Sequence, residues 1–151
     1  HELLAQSRYL IKEKEWKKAM EPLQRLVALR QGAGGAEAQV LLGQALFEKD
    51  DDNYAEVLKL LDKAIVDRAS ITGPGSESII ETMYYYRVRA LYKAYDNLKS
   101  SDPTSPDVKK SLLKASNDYK ALIKGEKYKA LQESDKRYKN HLEDVLRIEN
   151  K

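Results

Sequence analysis

Few side chains in this 151-residue chain are of the types that usually perform acid–base chemistry or bind metals. Histidine is the commonest general base and metal ligand near neutral pH, and only His1 and His141 are present. His1 is terminal, and His141 stands between Asn140 and Leu142 with no second histidine at metal-ligand spacing. Cysteine is absent, which excludes disulfides and thiolate metal sites. The sequence therefore predicts a protein that is not an enzyme and that uses no cofactor and no metal.

Two short stretches have the composition of ligand-binding loops. The glycine-rich stretch 31–36 precedes a predicted helix, as phosphate-binding loops do. It lacks the Gly-Lys-Ser/Thr of a Walker loop, however, and no predicted strand comes before it. The acidic run 50–53 lacks the spaced oxygens and central glycine of an EF-hand calcium loop. We interpret the first stretch as a turn between helices and the second as a helix cap, with a weak cation site as the alternative for the acidic run.

The elements that position these residues are predicted to be helices. Hydrophobic residues make up 42% of the chain and charged residues 34%, with seven glycines and four prolines, which is typical of an all-α protein. Apolar residues recur at spacings of three and four, which place them on one face of a helix. The pattern predicts seven helices that begin at about Glu2, Trp16, Glu37, Tyr54, Ser76, Ser105 and Glu126, and both Ser76 and Ser105 are predicted N-caps. The first five are expected to end near Lys14, Gln31, Lys49, Arg68 and Lys99.

One pattern of apolar positions occurs twice in the chain. Trp16-x-x-Ala19-x-x-x-Leu23-x-x-Leu26 returns 38 residues later as Tyr54-x-x-Val57-x-x-x-Leu61-x-x-Ala64. A small residue precedes each copy, with an apolar residue three positions after it: Ser7 before Leu10, and Gly43 before Leu46. A small residue within a helix lets a second helix approach closely. We therefore expect Ser7 and Gly43 to lie at helix–helix contacts.

This arrangement resembles the tetratricopeptide repeat, a pair of helices that stacks on neighbouring pairs. The resemblance implies an all-α, right-handed α-α superhelix of about three helix hairpins with a C-terminal capping helix. The predicted units are 2–31, 36–69 and 76–124, followed by the cap at 126–150, in one domain over 1–151. The third unit is divergent, because Ser105 takes the position of Trp16 and Tyr54 and the segment that connects its helices is longer.

The resemblance also implies where a partner would bind. In such arrays the first helix of each hairpin lines a concave groove, which here would hold another protein or a peptide. The predicted groove residues are Arg8, Ile11, Lys12, Gln44, Phe47, Tyr84, Arg87, Leu91 and Tyr95. The basic residues among them would suit an acidic segment or a terminal carboxylate. The tyrosines at 84–86 either pack between helices or line this groove. We therefore expect a non-enzymatic protein–protein interaction module or scaffold.

Charged residues are distributed unevenly along the chain, and this distribution indicates an alternative function. Residues 1–108 carry 15 basic and 17 acidic side chains, whereas residues 109–151 carry 12 and 7. The alternative is a structural subunit of a larger assembly, for example in a bacterial envelope, that docks on an anionic surface through its basic last helix. We do not expect a nucleic-acid partner.

The compartment stays open on sequence grounds. No apolar run approaches the roughly 20 residues that cross a bilayer. We therefore expect a soluble domain in the cytoplasm or the bacterial periplasm. The helical pattern already begins at His1, which is compatible with removal of an upstream signal or anchor.

Overall fold

The computed structural model describes residues 2–29 and 35–101, together with Pro106, Asp107, Lys110, Leu113, Lys114 and Asn117. Every described element is helical, which confirms the all-α prediction. The helices are α1 (Glu2–Lys12), α2 (Trp16–Leu29), α3 (Gly35–Lys49), α4 (Tyr54–Val66) and α5 (Ser76–Ser101), with 3₁₀ turns at Asp51–Asn53 and Arg68–Ser70. The described positions between 106 and 117 are also helical. The predicted seventh helix, which is the cap, lies outside the described residues.

Contacts divide the chain into two compact units, His1–Met83 and Tyr84–Lys151. The first unit contains α1 to α4 and the first turns of α5, and the second contains the rest of α5. The prediction of a single domain over 1–151 stays a prediction.

The turn between α1 and α2 explains why α1 ends two residues earlier than expected. Lys14 has a positive φ of 59°, where the chain leaves the helix. Its amide donates to the carbonyl of Ile11 (3.0 Å), and the amide of Glu15 donates to the carbonyl of Leu10 (2.9 Å). These are the two hydrogen bonds of a Schellman motif, which usually has glycine at the left-handed position. The motif reverses the chain, so that α2 packs against α1.

The core of the first unit is built from the apolar faces that the sequence pattern predicts. Ala19, Leu23 and Leu26 of α2 are at most 1% exposed, and they cluster with Leu4 of α1 and with apolar residues of α3. Burial of each leucine contributes roughly 1.5–3 kcal/mol. Pro22 lies inside α2, which the periodicity did not indicate. Its ring nitrogen cannot donate to the carbonyl four residues earlier, so α2 lacks one backbone hydrogen bond at this position.

Helix α3 is the centre of the first unit, since it packs against α1, α2 and α4. Ten of its 15 residues are buried, so it has no broad solvent-facing side. The backbone of Gly43 lies close to α4, since a Cβ at this residue would stand 3.1 Å from Cδ2 of Leu61 and 3.8 Å from Cγ1 of Val57. This confirms that Gly43 permits a close helix–helix contact.

The positions that repeat in the sequence are buried to the same degree in the two hairpins. Ser7 and Gly43 are both buried, and the Ser7 hydroxyl donates to the carbonyl of Leu3 (2.7 Å). The three apolar positions that follow are at most 1% exposed in each copy, and the aromatic position is half-buried in each copy. The hairpins α1–α2 and α3–α4 therefore use the repeated pattern in the same way.

The acidic run caps a 3₁₀ turn rather than α4 itself. The Asp50 carboxylate accepts a hydrogen bond from the Asp52 amide (3.0 Å), which is the first-turn cap of Asp51–Asn53. Asn53 precedes α4 but makes no side-chain cap bond to it. Its amide group donates instead to the carbonyl of Leu46 in α3 (3.3 Å). The acidic run therefore caps the 3₁₀ turn through Asp50 and hydrogen-bonds to the last turn of α3 through Asn53.

The N-cap prediction for α5 is wrong by one residue. The helix begins at Ser76, and its first hydrogen bond runs from the Ile79 amide to the carbonyl of Gly75 (3.2 Å). Gly75 has φ 83°, a conformation that a side chain would strain. Glycine therefore precedes the helix here because the backbone requires it.

Candidate functional site

The predicted groove residue Arg8 is committed to an ion pair within the chain. Its Nε donates to Oε2 of Glu37 (2.6 Å) and its Nη2 donates to Oε1 (2.8 Å), a bidentate arrangement that joins α1 to α3. The hydrogen bond to Glu37, helped by the carboxylate charge and opposed by desolvation, raises the pKa of the Arg8 guanidinium. Its charge is therefore already compensated. The Arg8 side chain nevertheless stays 55% exposed, and its binding of an acidic partner stays a prediction.

The other predicted groove residues of the first unit divide into packed and accessible ones. Ile11 is half-buried and packs against the core, and Phe47 is only 4% exposed. Lys12 is exposed and Gln44 is half-buried. Lys12 on α1 and Gln44 on α3 thus keep polar groups that a partner could reach, whereas Phe47 serves packing. Their binding of a partner stays a prediction.

The predicted residues of the second unit lie along one stripe of α5. Tyr84, Arg87 and Tyr95 are half-buried, whereas Leu91 between them is 5% exposed. The rings of Tyr92 and Tyr95 meet edge to face with 5.9 Å between their centroids. Three of the four predicted residues in this stripe are therefore accessible in part, whereas the fourth, Leu91, is covered.

A buried arginine beside the tyrosine run was not predicted. Arg89 is 4% exposed, and its guanidinium carbon lies 5.5 Å from the ring centroids of both Tyr85 and Tyr86. The two rings meet edge to face at 4.8 Å. Cation–π contacts of this kind contribute about 0.5–2 kcal/mol. The tyrosines at 84–86 were predicted either to pack between helices or to line the groove. Tyr85 and Tyr86 are buried and therefore pack, whereas Tyr84 is half-buried.

The acidic run is the one group within the described residues whose spacing would suit a metal ion. Carboxylate oxygens of Asp50, Asp51 and Asp52 lie within 4.8 Å of one another. Asp50 and Asp52 are exposed, and Asp50 already accepts the capping hydrogen bond from the Asp52 amide. Capping is therefore the role that the geometry shows for this run.

Several predicted features lie outside the described residues. These are both histidines, the glycines at 32 and 34, and the basic C-terminal helix. Within the described part of the chain, no helix is both long enough and apolar enough to cross a membrane.

Comparisons of the chain with models of protein families, with curated protein sequences and with solved structures give no match.

Proposed function

We propose that this chain is a non-enzymatic protein–protein interaction module, built as a tetratricopeptide-like superhelix of stacked hairpins. The observation that carries the proposal is the matched burial of the repeated positions in the hairpins α1–α2 and α3–α4. The close approach of α3 and α4 at Gly43 supports it, since the small residue serves the packing for which such repeats use it. On the first helices of the two hairpins, Lys12 of α1 and Gln44 of α3 are accessible at least in part to a partner.

The contacts of the first helices indicate which chemical groups a partner would need in order to bind. The ion pair of Arg8 with Glu37 compensates one of the cations predicted to attract an acidic segment. Among the polar residues of the first unit that are predicted to bind, Arg8 and Lys12 are exposed and Gln44 is half-buried. In the second unit, Tyr84, Arg87 and Tyr95 are half-buried, and Arg87 and Tyr95 already have interaction partners within the chain. A partner that offers hydrogen-bond acceptors and apolar side chains fits these residues better than a strongly acidic one.

Affinity capture from the native host, followed by mass spectrometry, tests this function directly. After a partner is identified, the double variant Tyr84→Ala/Arg87→Ala should weaken its binding at least about tenfold, because aromatic and arginine side chains dominate most interfaces. The double variant Lys59→Ala/Lys63→Ala changes exposed residues of α4 and serves as the matched control, with unchanged affinity.

Circular dichroism of both variants separates binding from folding. Equal helicity with lost affinity supports the proposed function. Loss of helicity in the Tyr84/Arg87 variant would place those residues in the core, and Tyr84→Phe then tests the hydroxyl alone. Unchanged affinity in a folded variant would contradict a binding role for this stripe.

A further inference from the structure

The face of α3 that packs on the first hairpin has a counterpart on α1. When Ser7 is aligned with Gly43, as in the repeated pattern, the buried Leu4 of α1 also matches the buried Val40 of α3. The two helices are therefore in the same register, and the rest of their surfaces can be compared residue by residue.

On α3, the residues in contact with the first hairpin are small or apolar. They are at most 5% exposed and belong to the core cluster that α3 forms with α1 and α2: Ala38, Leu41, Leu42 and Ala45. The residues that occupy the same four positions of α1 are all exposed: Glu2, Ala5, Gln6 and Tyr9. We call these four residues the outer face of α1.

Two of the four positions are apolar on α3 and polar on α1. Glu2 stands at the position of Ala38, and Gln6 stands at the position of Leu42. A contact like that of α3 would take the carboxylate and the amide out of water, which is costly unless each group finds a partner. Both residues therefore favour contact with solvent.

The other two positions differ in size. Tyr9, which is 63% exposed, stands at the position of the fully buried Ala45, so its ring would hold a second helix away. Ala5 stands at the position of Leu41, which fills part of the core cluster, so Ala5 offers less apolar surface for burial. All four differences therefore act in the same direction, because each of them disfavours the contact that α3 makes.

We infer that the outer face of α1 is an end surface, which stays in contact with solvent and excludes a second copy of the chain from packing on α1 as α3 packs on the first hairpin. Helical repeat arrays require polar outer faces on their terminal units in order to remain soluble. One tyrosine among polar and small residues does not form an apolar patch, so the face lacks the surface that a stable interface needs. This end surface shares no residue with the predicted groove, and it concerns contacts between hairpins rather than the binding of a partner segment.

Exchange of the outer face for that of α3 tests the end surface on the full chain. The face-exchange variant carries the α3 residue at each of the four positions: Glu2→Ala, Ala5→Leu, Gln6→Leu and Tyr9→Ala. We expect this variant to self-associate, since the exchange creates an exposed apolar face of the kind that α3 buries. Sedimentation velocity should detect association at concentrations at least about tenfold lower than for the native chain.

A variant of α4 controls for the added leucines. It makes the same kinds of change at exposed positions of that helix: Ala55→Leu, Glu56→Ala and Lys59→Leu. It should associate at least about fivefold more weakly than the face-exchange variant, because its leucines lie beside the exposed charges of Asp62 and Lys63. All changed positions are exposed, and circular dichroism verifies that both variants fold.

Thiol labelling tests the native face directly. The chain has no cysteine, so a single engineered cysteine is its only thiol. Ala5→Cys should react with a maleimide at a rate that does not change with protein concentration and lies within about threefold of that of Lys59→Cys. Ala45→Cys should react at least about a hundredfold more slowly, since this position is fully buried and becomes accessible only when α3 opens.

Three results would overturn the inference. They are association of the face-exchange variant that is no stronger than that of the native chain, equal association of the face-exchange and control variants, and slower labelling of Ala5→Cys as the protein concentration rises. The last result would show that the outer face of α1 is an interface between copies of the chain.

Discussion

Lys14 shows what a single backbone conformation contributes to this fold. A non-glycine residue in the left-handed region costs about 1–2 kcal/mol, and Lys14 has φ 59° in the turn that joins α1 to α2. Both hydrogen bonds of the Schellman motif come from backbone amides, so the lysine side chain is not needed for them. The turn is therefore strained at one residue whose side chain is exposed to solvent.

Lys14→Gly should stabilise the protein by about 0.5–1 kcal/mol, since the relief of strain exceeds the entropy that glycine loses on folding. Urea denaturation followed by circular dichroism measures the change. Lys14→Ala is the control and should change stability by less than about 0.5 kcal/mol, because alanine keeps the Cβ that causes the strain. A larger gain for alanine than for glycine would show that the lysine side chain, and not the backbone, is unfavourable here.

The contact between α3 and α4 depends on the absence of a side chain at Gly43. A Cβ at 3.1 Å from Leu61 is tighter than ordinary van der Waals contact, and Leu61 is fully buried. A larger side chain therefore has to move a core leucine or separate the two helices. This contact explains why the repeated pattern has a small residue at position 43.

Gly43→Val should destabilise the protein by about 1–3 kcal/mol through overpacking. Leu61→Ala alone should cost about 2–5 kcal/mol. The double variant should cost clearly less than the two changes added together, because the valine fills space that the leucine leaves. Urea denaturation of the four proteins measures this coupling, and strict additivity would contradict direct contact between these positions.

At the scale of the whole molecule, α3 should be the most stable helix of the first unit. Among the described helices it packs against three others, whereas α1 has its main contacts with α2 and α3. Amides of a helix exchange slowly when its opening requires many buried contacts to break. Hydrogen exchange with mass spectrometry should therefore show slower exchange in α3 than in α1, by at least about tenfold. Equal rates in the two helices would indicate that the hairpins open together rather than from the outer helix inward.

The helices α1 to α5 were predictable from the sequence because apolar spacing depends on residues that are close together in the chain. Apolar spacing placed the starts of α1 to α5 within two residues of those observed. The pairing of Arg8 with Glu37 was not predictable, since the two residues are 29 positions apart and each has the sequence context of an exposed charge. Arg89 was missed for a related reason. A charged residue is expected at the surface, and only its spacing from Tyr85 and Tyr86 hinted at a ring contact.

The unequal turns of the two hairpins have a consequence for how the repeated pattern can be aligned. Ser7 precedes Trp16 by nine residues and Gly43 precedes Tyr54 by eleven, because α3 continues for one residue more and its turn is one residue longer. A search profile of fixed period cannot hold both copies in register. A pattern that allows a two-residue insertion between the small residue and the aromatic residue would align them.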